Sequence, residues 1–132
     1  MTKQRIISTN HLSETLSELL REIEHDRLFI LTDEHTAKLC YPLIDKVAGG
    51  AHHITIPAGD DNKHINTLCH VWEELSSHSA TRHSLLINVG GGMVTDLGGF
   101  AAATYKRGIH YINMPTTLLA MVDEIGRASC RE

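Results

Sequence analysis

Between Leu85 and Tyr105 the chain runs through three signals in immediate succession. An apolar run, Leu85-Leu86-Ile87-Asn88-Val89, reads as a strand. Three glycines follow, Gly90-Gly91-Gly92. Then comes a small-residue helix signal, Leu97-Gly98-Gly99-Phe100-Ala101-Ala102-Ala103, closed by Tyr105-Lys106-Arg107-Gly108. Strand, glycine turn and helix in that order form a phosphate-binding device. Glycine lets backbone approach an anion, and a helix start offers unpaired N–H groups at the positive end of its dipole.

The same alternation runs through the rest of the chain. Gln4–Ser8 reads as a short strand. Leu12, Leu16, Leu19, Leu20 and Ile23 recur at helical spacing, predicting a helix over Ser13–Glu24. Leu28–Leu31 is a strand. Thr36–Val47 is helical with a break or first turn at Pro42. Ile54–Ile56 is a strand, Asn62–Ser77 a helix with Ile65, Leu68, Val71, Trp72 and Leu75 on one face. Asp96–Tyr105 and Tyr111–Met114 give the next helix and strand. Alternating strands and helices predict an α/β fold, a Rossmann-like, mostly parallel sheet flanked by helices. Ligands of such sheets sit beyond the carboxyl ends of the strands.

With 132 residues, 42% of them hydrophobic, the chain suits one modest domain. A net charge of −4 and 5% aromatic content leave neither a basic footprint nor a stacking surface for nucleic acid. No apolar run reaches the ~20 residues of a membrane span. Cys40, Cys69 and Cys130 have neither metal-type spacing nor a paired framework, which predicts reduced thiols and a cytoplasmic setting. The ten histidines show no ligand-type pairing. His52, His53, His64, His70, His78 and His83 are read as surface or strand-end residues.

Glu124–Glu132 continues no earlier pattern. One reverse translation of it matches a widely used short-read sequencing adapter. The expected organisation is therefore an α/β domain over 1–123, incomplete at its C-terminal end, and a non-native tail over 124–132, which is excluded from fold reasoning.

Singly, the candidate residues have two readings each. Asp96 suits a helix N-cap or first turn, or an acceptor for cofactor hydroxyls. Thr116 and Thr117 suit caps after Pro115, and Lys106 and Arg107 suit last-turn cations. The glycines match neither a Walker A loop nor a strict Gly-x-Gly-x-x-Gly fingerprint. Jointly they are more specific. Gly90-Gly91-Gly92-Met93-Val94-Thr95-Asp96-Leu97-Gly98-Gly99-Phe100-Ala101-Ala102, Tyr105-Lys106-Arg107-Gly108, Pro115-Thr116-Thr117-Leu118-Leu119 and Val122-Asp123 resemble the N-terminal portion of the 3-dehydroquinate synthase family.

The resemblance implies NAD as cofactor. Asp33 and Lys63 would approach its adenosine side. Gly91, Gly92, Met93, Val94, Thr95 and Asp96 would line the diphosphate and ribose, and Thr116 and Thr117 the nicotinamide side. At position 58 the family's usual carboxylate is replaced by Ala58. Asp123 would face substrate as a catalytic residue, and Arg107 would reach the substrate phosphate of a neighbouring subunit, implying a homodimer. The family's α-helical C-terminal domain, with ligands for a divalent metal (zinc or cobalt), is expected to be missing. The implied reaction, a shikimate-pathway step of aromatic amino acid biosynthesis, converts a small sugar phosphate, 3-deoxy-D-arabino-heptulosonate 7-phosphate, to 3-dehydroquinate and phosphate. The fragment alone is expected to be inactive. Another sugar-phosphate cyclase, a polyol dehydrogenase of the same superfamily, and a non-catalytic nucleotide-binding module are the alternatives.

Overall fold

A computed structural model of the chain describes residues 4–8, 12–59, 65–115 and 127–131. The strands are β1 (Gln4–Ser8), β2 (Leu28–Asp33), β3 (His52–Ile56), β4 (Leu85–Gly90), β5 (His110–Pro115) and β6 (Arg127–Arg131). They form one sheet in the order β1-β6-β5-β4-β2-β3. The pairs β2–β3, β2–β4 and β4–β5 are parallel, whereas β6 is antiparallel to both β5 and β1. The helices are α1 (Leu12–Glu22), α2 (Glu34–Leu39), α3 (Tyr41–Asp45), α4 (Ile65–Ser77) and α5 (Gly92–Thr104). This is the expected α/β, mostly parallel architecture.

Every residue of β4 is buried. Its alternate side chains enter two separate cores, as a parallel sheet covered on both faces requires. Leu85, Ile87 and Val89 join Ile30, Ile112 and Met114 under Leu16, Leu19 and Ile23 of the α1 segment and Ile44 of α3. Leu86 joins Phe29, Leu31, Ile54 and Ile56 under Leu68, Val71 and Leu75 of α4 and Val94, Leu97 and Ala101 of α5. Each fully buried Leu or Ile stabilises the fold by roughly 1.5–3 kcal/mol. The two cores also show how the chain crosses over. The connection from β2 to β3 lies on the α3 face, and those from β3 to β4 and from β4 to β5 lie on the opposite face. Right-handed crossovers demand this change of face when the direction of winding reverses. The reversal falls between β2 and β4.

The differences from the sequence expectation are local. The predicted helix over Thr36–Val47 is two helices meeting at Cys40, because Pro42 sits in the first turn of α3, where its missing N–H costs nothing. Helix α5 begins at Gly92, four residues before the predicted Asp96. Glycine's poor helix propensity masks that start in the sequence, although glycine is an acceptable N-cap. Arg127–Arg131, within the segment read as a non-native tail, forms β6. An open edge at β5 is a row of unpaired N–H and C=O groups, and backbone pairing there is indifferent to the side chains of the added strand.

Helix α5 lies unusually close to the sheet. A Cβ on Gly98 would stand 2.0 Å from Asn88 Oδ1, and one on Gly90 would stand 2.6 Å from a Val94 methyl. Asn88 is completely buried, and its Nδ2 donates to Asn113 Oδ1 at 2.9 Å across the β4–β5 pair. Its Oδ1 has no hydrogen-bond partner and abuts Gly98. The helix end is fixed by the Tyr105 hydroxyl, which donates to the Ala80 carbonyl at 2.9 Å. Gly98→Ala should therefore lose about 1–3 kcal/mol by overpacking, despite the ~1 kcal/mol that alanine ordinarily adds to a helix. Denaturant unfolding checks this, and Asn88→Ala in the same chain should recover part of the loss.

Candidate functional site

The crevice between the carboxyl ends of β2 and β4, where the winding reverses, is where ligands bind in open α/β sheets. Two segments meet there. From β2 comes Asp33, the N-cap of α2. Its Oδ1 accepts from the backbone N–H of His35 and of Thr36, each at 2.8 Å. The Thr36 hydroxyl returns the capping box by accepting from Asp33 N–H at 3.0 Å. The same hydroxyl donates to the Val89 carbonyl at 2.9 Å. This contact, 53 residues long in sequence, ties the end of β2 to the last turn of β4. The loop after β3 joins the group as well, because Ala58 N–H donates to Glu34 Oε1 at 3.0 Å.

From β4 comes the glycine turn. Gly90 ends the strand, Gly91 is the N-cap of α5 with extended backbone, and Gly92 is the first helical residue. No side chain caps this helix. Its first-turn N–H groups are those that the sequence reading offers to an anion. Among the described residues, a Cβ at Gly92 would meet no atom within 4 Å, so on their side the approach to the turn is open. At Gly90, by contrast, the Val94 side chain leaves room for glycine only.

The six predicted cofactor residues of this segment divide by what they present. Met93 and Val94 bury their side chains in the core, leaving only backbone toward the crevice. Thr95 turns its hydroxyl back on the helix, toward the carbonyls of Gly91 at 3.2 Å and Gly92 at 3.3 Å. Asp96 is exposed in the second turn of α5. The N-cap or first-turn reading of Asp96 is thereby corrected: the helix starts earlier than the pattern suggested, and Gly91 holds the cap. Lys63, Thr116, Thr117 and Asp123 lie outside the described residues.

Arg107 is not brought to this crevice. Helix α5 carries the chain about 20 Å back toward the amino ends of the strands, and Arg107 lies exposed beyond it, before β5 begins. The last-turn reading of Lys106 and Arg107 is also corrected. They follow α5 in a tight 3-10 turn with φ of 45° and 71°, and Gly108 follows at 105°. Left-handed conformations cost L-residues roughly 1–2 kcal/mol each. The turn is held nonetheless by Gly108 N–H donating to Tyr105 O at 2.7 Å and Ile109 N–H to Ala102 O at 2.8 Å.

One grouping escaped the sequence reading. His52 of β3 and Glu74 and His78 of the α4 segment come together at the opposite end of the sheet. Glu74 in the last turn of α4 and His78 just past its end are four apart, which is ligand-type spacing. That signal was present, but only the packing of α4 on β3 adds His52.

The family model for the 3-dehydroquinate synthase N-terminal domain matches residues 53–128. The chain belongs to that family. It is 45% identical over 125 residues to the 3-dehydroquinate synthase of Parabacteroides distasonis, covering 93% of this chain and 35% of the relative. A 2-deoxy-scyllo-inosose synthase solved with carbaglucose-6-phosphate, NAD+ and Co2+ superposes with a TM-score of 0.76 at 23% identity, over 89% of this chain and 36% of that one. A 2-epi-5-epi-valiolone synthase from Streptomyces hygroscopicus, solved with NAD+ and Zn2+, gives 0.66 at 29% identity, over 80% and 30%. The chain spans about a third of the length of the curated relatives it matches. No helix among the described residues is long and apolar enough to cross a membrane.

A substitution pair separates the structural part of Asp33 from any ligand contact. Asp33→Ala should cost about 1 kcal/mol through loss of the cap, whereas Asp33→Asn, an equally good cap, should leave stability nearly unchanged. Thermal unfolding of both variants checks this.

Proposed function

We propose that this chain is the NAD-binding part of a 3-dehydroquinate synthase, a cytoplasmic enzyme acting on 3-deoxy-D-arabino-heptulosonate 7-phosphate as a homodimer. The observation that carries the proposal is the uncapped start of α5 behind an open glycine turn at the winding reversal, in a chain 45% identical to a curated synthase. This surface fits a dinucleotide diphosphate: a helix start with no side-chain cap among the described residues, and no side chain at Gly91 or Gly92 to keep the anion away.

In this reading each residue has a limited task. Gly91, Gly92 and the backbone of Met93 and Val94 hold the diphosphate. Thr95 stiffens the turn through its bonds to the Gly91 and Gly92 carbonyls. Asp96 takes a ribose hydroxyl from the exposed side of α5. Asp33 uses Oδ1 for the cap and accepts from the adenosine ribose with Oδ2. Lys63, Thr116 and Thr117 complete the cofactor contacts, and Asp123 faces substrate. The strained turn at Lys106 and Arg107 aims a guanidinium outward, where the substrate phosphate of a second subunit would meet it. Bound NAD supplies a reversible hydride acceptor, and a zinc or cobalt ion held by the rest of the enzyme polarises substrate oxygens. A second reading, a cyclase for a different sugar phosphate, is favoured by the 29% identity to the 2-epi-5-epi-valiolone synthase.

Titration of NAD+ into the chain should give saturable binding and a raised melting temperature. Gly92→Val fills the open approach without an internal clash and should weaken binding at least tenfold. Asp33→Asn should weaken it several-fold at unchanged stability. Joined to the remaining two thirds of the Parabacteroides synthase, the chain should release phosphate and form dehydroquinate, whereas the chain alone should not. Failure to bind NAD+ would overturn the proposal. Turnover of another sugar phosphate in preference would establish the second reading.

A further inference from the structure

At the amino end of the sheet, away from the glycine turn, His52, Glu74 and His78 present ligand atoms that all lie within 4.8 Å of one another. His52 Nε2 stands 3.0 Å from Glu74 Oε1. Both side chains keep about 30% of their surface exposed, so an ion has access without being stripped of all its water. The donors come from two parts of the fold, β3 and the α4 segment. The His52 ring packs edge-on against Phe29, with centroids 5.9 Å apart. Glu74 and His78 share one side of the α4 segment at a spacing of four. The His78 Nδ1 lies 3.1 Å from the Glu74 carbonyl, which fixes Nδ1–H as the donor and leaves Nε2 as a free lone pair. A histidine oriented by a backbone carbonyl through its other nitrogen is the usual arrangement around a bound metal.

The His52 and His78 rings stack at 3.5 Å with 20° between their planes. Beside the cluster opens a cavity of about 460 Å³ lined by His25, Asp26, Gly49 and Gly50, with His52 and His78 in its wall. It gives water room to complete the coordination.

We propose that His52, Glu74 and His78 form a zinc site, with two imidazole nitrogens, one carboxylate oxygen and water as the fourth ligand. Zinc–ligand bonds of about 2.0–2.2 Å set ligand atoms roughly 3.3–3.5 Å apart. The His52–Glu74 pair is already that close, and the exposed His78 ring would swing out of its stack with His52 to bring its nitrogen to the ion. By joining β3 to the end of α4, the ion would lock the β3–α4 crossover. It is separate from any metal that takes part in turnover, because its ligands stand at the opposite end of the strands from the crevice.

The test is a zinc titration of the chelator-stripped 132-residue chain, with melting temperature as a second readout. The expected result is one zinc ion per chain and a raised melting temperature. Glu74→Gln and His78→Gln should each weaken binding at least tenfold, while His110→Gln, at an exposed position on β5, should not change it. Absence of saturable binding, or unchanged affinity in Glu74→Gln and His78→Gln, would overturn the proposal. Should either variant fail to fold, the imidazole nitrogen resonances of the unmodified chain decide: zinc must shift those of His52 and His78, and a shift confined to other histidines rejects the site.

Discussion

The structure depends on the pairing of β2 with β4. These neighbours in space are separated in sequence by β3 and two crossovers, and the sheet changes its direction of winding between them. Side chains pin the pair at both ends. At the amino end, Asp26 accepts from the hydroxyls of Thr81 and of Ser84, the latter at 2.8 Å. These bonds, the Thr81 one first, hold the Asp26 carboxyl below its ordinary range. At the carboxyl end, Thr36 joins the cap of α2 to the Val89 carbonyl. The crevice therefore has fixed lips. Asp33 and the glycine turn are set by backbone and short side chains, which have few rotamers to lose when a ligand arrives.

Much of this was legible in the sequence because the signals were local. The runs at Leu28, Ile54, Leu85 and Tyr111 are short and apolar, and a parallel sheet buried on both faces needs such runs. Pro42 announced the break between α2 and α3 because its ring imposes the same restriction in any context. The glycine turn was legible for a related reason, since few other structures need three glycines between a strand and a helix.

What stayed hidden depends on tertiary contacts or on residues with weak preferences. The start of α5 is written in glycine, which carries almost no helix signal, and so Asp96 was placed a turn too early. Strand β6 owes its place to an available edge rather than to a side-chain pattern. The left-handed turn at Lys106 and Arg107 is enforced by bonds from Gly108 and Ile109 and by the anchored Tyr105 ring. The meeting of His52 with Glu74 and His78 spans 22 residues between His52 and Glu74 and exists only because α4 packs on β3. Asp33 shows the converse. Its position was read as a cofactor contact, and the capping role that the structure adds leaves one carboxylate oxygen for that purpose.

The contact between Asn88 and Gly98 also restricts how the sequence can drift. A side chain at position 98 has no space while an amide stands at position 88, and shrinking position 88 first would open a void beneath α5. Neither replacement is neutral alone, so the two positions are expected to change together or not at all. Asn113, bonded to the same amide, is drawn into the constraint. Three residues on a strand, a helix and a second strand thus behave as one inherited unit.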